Sequence, residues 1–165
     1  MKHAKRIFAA ALLLMILFSA LAENAAGTVY AGDGFTITLP EGVEILDEGT
    51  LAGYEAAVES DFPGAGETLL AVMRADCSAA VTISAAKAEM SGPEAANAAA
   101  QTLLGGSDMV KEIAFGENDC GSFACMVGEL QFNLYYFSAE GRLLVIGTSG
   151  LEEAEIEDML NSLTL

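Results

Sequence analysis

Helical periodicity is confined to two stretches of this chain, and each opens on Ser-x-x-Glu. In the first, Ser91-Gly92-Pro93-Glu94 has the form of a capping box. The serine hydroxyl accepts from the backbone N–H three residues on, the glutamate reaches back, and proline sits in the first turn where its missing N–H costs nothing. Ala95, Ala96, Ala99, Ala100, Leu103 and Leu104 follow at helical spacing, and Gly105-Gly106 ends the run. An alanine face lets a helix lie close on a sheet. In the second, Ser149-Gly150-Leu151-Glu152 reads as another capping box. Its apolar stripe is Leu151, Ala154, Ile156, Met159, Leu160 and Leu163, with Glu155, Glu157 and Asp158 turned to solvent.

Outside these stretches the pattern changes to period two, which is the signature of half-buried strands. Phe35, Ile37 and Leu39 alternate with Thr36 and Thr38, and Pro40-Glu41-Gly42 turns the chain toward a short strand at Val43 to Leu46. Tyr54, Ala56 and Val58 alternate with Glu55, Ala57 and Glu59; Asp61 to Glu67 is a loop. Leu69 to Arg74 and Ala79 to Ala85 read as a pair of strands around Asp76-Cys77-Ser78, and Val110 to Phe115 as a further one. Glu117 to Ser122 reads as a turn-rich connection. Phe123 to Leu130, Phe132 to Ser138 and Arg142 to Thr148 then complete the set, with a tight turn at Ala139-Glu140-Gly141. Connections of hairpin length imply an antiparallel sheet with helices packed on it. The expected fold class is therefore α+β: a single domain over residues 34–165, with an antiparallel β-sheet and two packed helices.

The N-terminus has a different character. Lys2, Lys5 and Arg6 precede an unbroken apolar run from Ile7 to Phe18, and Ala20-Leu21-Ala22 follows. A positive flank, an apolar middle and a small-x-small exit are the parts of a secretory signal peptide. The run falls short of the ~20 residues a bilayer-spanning helix needs. Residues 1–22 are expected to be removed by cleavage after Ala22, with residues 23–33 as a short linker. The product is then secreted or extracytoplasmic; an uncleaved N-terminal membrane anchor is the alternative.

That cleavage would sharpen the composition. The remaining basic residues are Arg74, Lys87, Lys111 and Arg142, against 24 acidic ones. Such a surface excludes nucleic acid and anionic membrane surfaces, whose binding depends on Lys and Arg. It suits solubility, cationic partners or calcium. The one histidine, His3, would leave with the signal. Without it there is no Ser-His-Asp or Cys-His catalytic set and no imidazole zinc site. Nothing in the sequence requires a cofactor. Ser84 and Lys87 spell S-x-x-K, but the S-D-N and K-T-G companions of penicillin-binding enzymes are missing, and residues three apart on a strand face opposite ways. Carboxylate pairs such as Asp47 with Glu48, or Glu117 with Asp119, carry the right oxygens for calcium but lack any EF-hand spacing. A solvated acidic face is the better reading of them.

Three cysteines remain: Cys77, Cys120 and Cys125. Cys120 and Cys125 flank Gly121-Ser122, and they are the candidate disulfide if that segment turns; buried free thiols are the alternative. Tyr135, Tyr136 and Phe137 form an aromatic cluster. On a strand Tyr135 and Phe137 share one face while Phe132, Leu134 and Tyr136 share the other. Either both faces are core, or one is left as an aromatic patch for a protein contact, with Tyr135, Tyr136 and Phe137 the candidate residues.

The strand Gly34 to Leu39 ending in Pro40-Glu41-Gly42, the mid-chain helix, the strands Phe132 to Ser138 and Leu143 to Thr148, and the terminal helix ending in Met159-Leu160-Asn161-Ser162-Leu163 together resemble the PsbP-like family of α/β sandwiches, over residues 34–165. Many members carry a tryptophan soon after the first proline, where this chain has Val43. The resemblance implies binding or assembly rather than catalysis and supplies no catalytic residues. The expected function is that of an exported, non-enzymatic accessory protein that engages another envelope or secreted protein. A small-ligand or calcium-binding domain, or a hydrolase using carboxylates alone, are the competing readings.

Overall fold

The computed structural model describes residues 27–32, 34–47, 49–52, 66–87, 89–127, 130–139 and 141–165. Among the described residues nine strands and two main helices carry the fold, beside a short helical turn at 49–52. The strands are β1 (Val29–Gly32), β2 (Phe35–Thr38), β3 (Val43–Ile45), β4 (Glu67–Arg74), β5 (Ala80–Lys87), β6 (Lys111–Phe115), β7 (Asn118–Val127), β8 (Leu130–Ala139) and β9 (Arg142–Ser149). The helices are α1 (Gly92–Leu104) and α2 (Glu153–Asn161). Seven strands form one sheet in the order β3-β4-β5-β9-β8-β7-β6, every neighbour antiparallel. This is the expected α+β class, a seven-stranded antiparallel sheet with two main helices in a single domain.

The alternation along each strand sorts side chains between two cores. On one face Ile37, Leu70, Ile83, Phe137, Ile146 and Leu160 belong to the larger core, which α2 and the β1–β2 hairpin cover. On the other face Ala95, Ala96 and Ala100 of α1 pack against Phe123, Tyr136 and Leu143. The alanines bring α1 close to the sheet as expected. The Ser91 box also forms: Glu94 N–H donates to Ser91 Oγ at 3.3 Å, and Ser91 N–H donates to Glu94 Oε2 at 2.9 Å.

Four local expectations are corrected. The segment assigned to the linker includes β1, whose four residues pair antiparallel with β2. The second capping box lies three residues later than Ser149. Ser149 ends β9, in register with Ala80 and Phe132. Gly150 then turns the chain at φ +68°, and Glu152 is the helix N-cap. Glu152 N–H donates to Glu155 Oε2 at 3.0 Å, while Glu155 Oε1 accepts from Arg74 Nη2, so one carboxylate fastens the start of α2 to β4. The strand before β8 begins at Asn118 rather than Phe123, because the turn occupies only Gly116 and Glu117. The chain between Cys120 and Cys125 is extended, not turned. The expected strand Tyr54 to Glu59 and the signal and cleavage site lie outside the described residues.

The chain closes on itself at the C-terminal tail. Thr36 and Thr164 exchange backbone hydrogen bonds of 2.9 and 3.0 Å, Thr38 N–H donates to Ser162 Oγ at 2.8 Å, and Asn118 Nδ2 donates to the Leu163 carbonyl at 3.0 Å.

One core hydroxyl has no use. Thr148 is buried on β9, and its Oγ1 meets no hydrogen-bond partner among the described residues. A buried polar atom left unpaired costs about 1–3 kcal/mol, whereas an apolar group of the same shape avoids that cost. Thr148→Val is therefore expected to stabilise the protein by about 1 kcal/mol, read as a raised urea midpoint at unchanged slope.

Candidate functional site

The aromatic cluster lies on β8, which sits between β9 and β7 in the sheet. Phe137 is 0% exposed, and it packs in the larger core beside Phe115, ring centroids 6.3 Å apart. Tyr135 is half-buried on the same face, edge-on to Phe115 at 6.1 Å. Tyr136 points the other way, 8% exposed, and stacks on Phe123 at 5.9 Å with an interplanar angle of 13° in the core beneath α1. The expected aromatic contact surface is thus corrected: Tyr136 and Phe137 are core on opposite faces, because α1 covers one face of β8 and α2 with its neighbours covers the other.

Burial sets the chemistry of these groups. Desolvation pushes the Tyr136 phenol up to about 12 and raises that of Tyr135, with Cys120 and Glu153 adding to the latter. A folded-state value above the ordinary ~10 means that the neutral phenol is favoured by folding. The stability it contributes is complete below about pH 10 and is lost as pH rises toward 12. Tyr136→Phe is expected to keep the fold and to blunt the fall of the urea midpoint over that alkaline window.

The cysteines do not pair. Cys120 and Cys125 are five positions apart on one straight strand, so their side chains project from opposite faces. Cys120 lies in the larger core and Cys125 packs against the core beneath α1. Five residues of strand span about 16 Å, well beyond the ~4.4–6.8 Å between Cα atoms that a disulfide requires. All three cysteines are free thiols, with Cys77 exposed. Burial pushes Cys120 up to about 12 and raises Cys125, so neither is an activated nucleophile at neutral pH. In the native protein a thiol reagent is expected to modify Cys77 rapidly and Cys120 only on unfolding, read by intact mass. Equal rates at the two positions would contradict this placement.

The acidic residues are spent locally. Asp47 accepts from Gly49 N–H at 2.9 Å, Thr50 N–H at 3.0 Å and Thr50 Oγ1 at 2.7 Å, starting the helical turn 49–52. These bonds hold its carboxyl below the usual range. Glu117 and Asp119 are exposed on either side of Asn118. Among the described residues no three carboxylates, thiols or imidazoles are grouped as metal ligands. Ser84 and Lys87 lie on β5 and face opposite ways.

The surface feature that sequence reasoning missed is the open edge beyond β6. β6 pairs with β7 only from Asn118 to Ser122. The rest of β7 has β8 on one side and no strand on the other among the described residues. Met126, 61% exposed, stands there. Nothing in the residues of β7 reveals this edge, because it depends on where β6 ends.

No family model matches the chain, and no curated protein does either. Among the solved structures similar to it are two that cover most of the chain. One is the solution structure of cyanobacterial PsbP (CyanoP) from Synechocystis sp. PCC 6803, at TM-score 0.58 and 10% identity, covering 90% of this chain and 98% of that one. The fold is PsbP-like. The other is a crystal structure from Bacteroides thetaiotaomicron VPI-5482, at TM-score 0.56 and 16% identity over 82% of this chain. This chain spans about half of that protein, 47% of its length. At these identities the likeness is one of fold, with the PsbP-like sandwich matched across nearly the whole of CyanoP.

Proposed function

We propose that the protein is an exported, non-enzymatic accessory protein that acts by binding another protein at the cell envelope or outside the cell. The observation that carries this reading is the PsbP-like fold, matched over almost the full length of both chains. The charged surface supports it. Outside residues 1–22 the acidic residues number 24 against Arg74, Lys87, Lys111 and Arg142, a balance that keeps a chain soluble and favours partners of opposite charge. The buried, unactivated thiols and phenols on β7 and β8 serve packing, which fits a binding module better than a catalyst. Export rests on the N-terminal pattern of positive flank, apolar run and Ala20-Leu21-Ala22.

The test is crosslinked affinity capture of the C-terminally tagged protein from cells that make it, with envelope and medium compared. One protein recovered in fixed proportion from the envelope or medium supports the proposal. A product retained in the cytoplasm, or free with nothing attached in every fraction, would overturn it.

A further inference from the structure

Sheet edges are templates for strand addition, and proteins blunt them with charge, proline, bulges or brevity. The outermost strands β3 and β6 follow that rule. β3 is three residues long and carries Glu44, and β6 is five residues long and carries Lys111 and Glu112. A third edge segment, on β7, does not. From Gly121 to Met126 the sequence is Gly-Ser-Phe-Ala-Cys-Met, without a charge or a proline, in a chain with 24 acidic residues. Beyond Ser122 this stretch has no strand on its outer side among the described residues.

Register fixes which groups are open. The two-residue turn at Gly116-Glu117 makes Phe115 and Asn118 a hydrogen-bonded pair, so even-numbered residues of β7 direct N–H and C=O toward β6. Past the end of β6 those groups belong to Ala124 and Met126. They point outward, while Phe123 and Cys125 bond inward to Leu134 and Phe132 of β8.

We propose that this edge pairs with the same edge of a second copy, antiparallel about a two-fold axis through Cys125. Ala124 of each chain then faces Met126 of the other. Four backbone hydrogen bonds form, two from each Ala124–Met126 pair, and all the open groups of those residues are satisfied. The arrangement is isologous and closes at two. The partner is a second copy because the stretch is complementary to itself, and because it is the edge at which two strongly acidic bodies meet without opposing charges. Cys125 faces Cys125 as a non-hydrogen-bonded cross-strand pair, whose Cα atoms stand about 4.5 Å apart, within the range of a disulfide. The proposal is independent of the accessory role.

Sedimentation equilibrium on the protein purified from cells that make it, at up to about 100 µM, reads the result directly; a small edge interface is expected to be weak. A dimer is expected, tightened by added salt, which screens the net negative charge. Met126→Lys puts charge on the edge, and Ala124→Pro removes an outward N–H that has no backbone partner among the described residues. Each is expected to weaken the dimer at least ~10-fold while circular dichroism stays native. Val29→Lys, at an exposed site on β1, is the control and leaves it unchanged. In the Cys77→Ser background diamide takes two electrons and two protons from facing Cys125 thiols, giving a disulfide-linked species of twice the purified chain's mass and the reduced hydrazine. Cys125→Ser abolishes that species. A monomer at every concentration and salt overturns the proposal. So does a dimer indifferent to both edge variants, or a diamide-linked species that survives Cys125→Ser.

Discussion

Phe137→Ala is expected to cost about 3–5 kcal/mol, because Phe137 is the bulkiest fully buried side chain among the described residues. Phe137 is 0% exposed, lies on a central strand, and meets Phe115 from β6 in the core that α2 closes. The cost combines lost transfer energy with a cavity that antiparallel neighbours on both sides, Cys120 and Leu144, are too fixed to fill. Domains of this size are stable by about 5–15 kcal/mol, so the variant will stand near its limit at room temperature. Urea unfolding of Phe137→Ala against Tyr135→Phe tests this. The second removes one hydroxyl from a half-buried ring and is expected to change stability by less than about 1 kcal/mol. Similar losses from both would show that the β8 side chains do not divide as described.

Gly121→Ala is the second, and it works by crowding. A Cβ on Gly121 would stand 2.5 Å from Pro93 Cα, 2.7 Å from Ala96 Cβ and 2.8 Å from the Gly92 carbonyl oxygen. Gly92 is the other half of the contact, for a Cβ there would lie 2.1 Å from the Tyr136 carbonyl oxygen. Backbone thus rests on backbone where α1 starts, and neither side can yield without moving the helix. Overpacking of this kind costs about 1–3 kcal/mol and occasionally more. We expect about 3 kcal/mol, with a fall in Tm of roughly 10 °C. Ala96→Gly in the Gly121→Ala background is expected to recover little, since Pro93 and Gly92 still block the site. Full recovery would mean that the side chain alone makes the contact.

The same glycine marks where sequence reasoning stopped. Gly121-Ser122 has the composition of a turn, and a turn there would have set Cys120 beside Cys125. A glycine inside a strand also arises where another backbone approaches closely. Choosing between these needs the position of α1, which is a tertiary fact. The first helix itself was fully legible, because cap, alanine face and terminating glycines all lie within one short stretch. The period-two pattern gave most strands, and with them the α+β class. It placed Tyr136 and Phe137 on opposite faces but left open whether both were covered, since that depends on where two distant helices dock. β1 was hidden for a related reason: its burial alternates only between exposed and half-buried, so it carries no apolar stripe. The start of α2 was misplaced by three residues because Ser149 is a good cap by type, while the sheet had already taken it as the last residue of β9. The open edge of β7 was invisible, for nothing in a strand's own residues tells how long its neighbour is.

The clasp between Thr36 and Thr164 has a consequence for the order of events during synthesis. The β1–β2 hairpin is made early, yet its outer backbone groups and the Thr38 N–H find their partners in Thr164 and Ser162, near the other end of the sequence. Loop closure over such a separation has to be met before those bonds return anything. Until Thr164 has been made, the first hairpin has nothing to dock its open side upon, and the larger core lacks Leu160 and Leu163. A nascent chain of this design stays pliant while it is still being extended, and it locks only when its two distant segments meet.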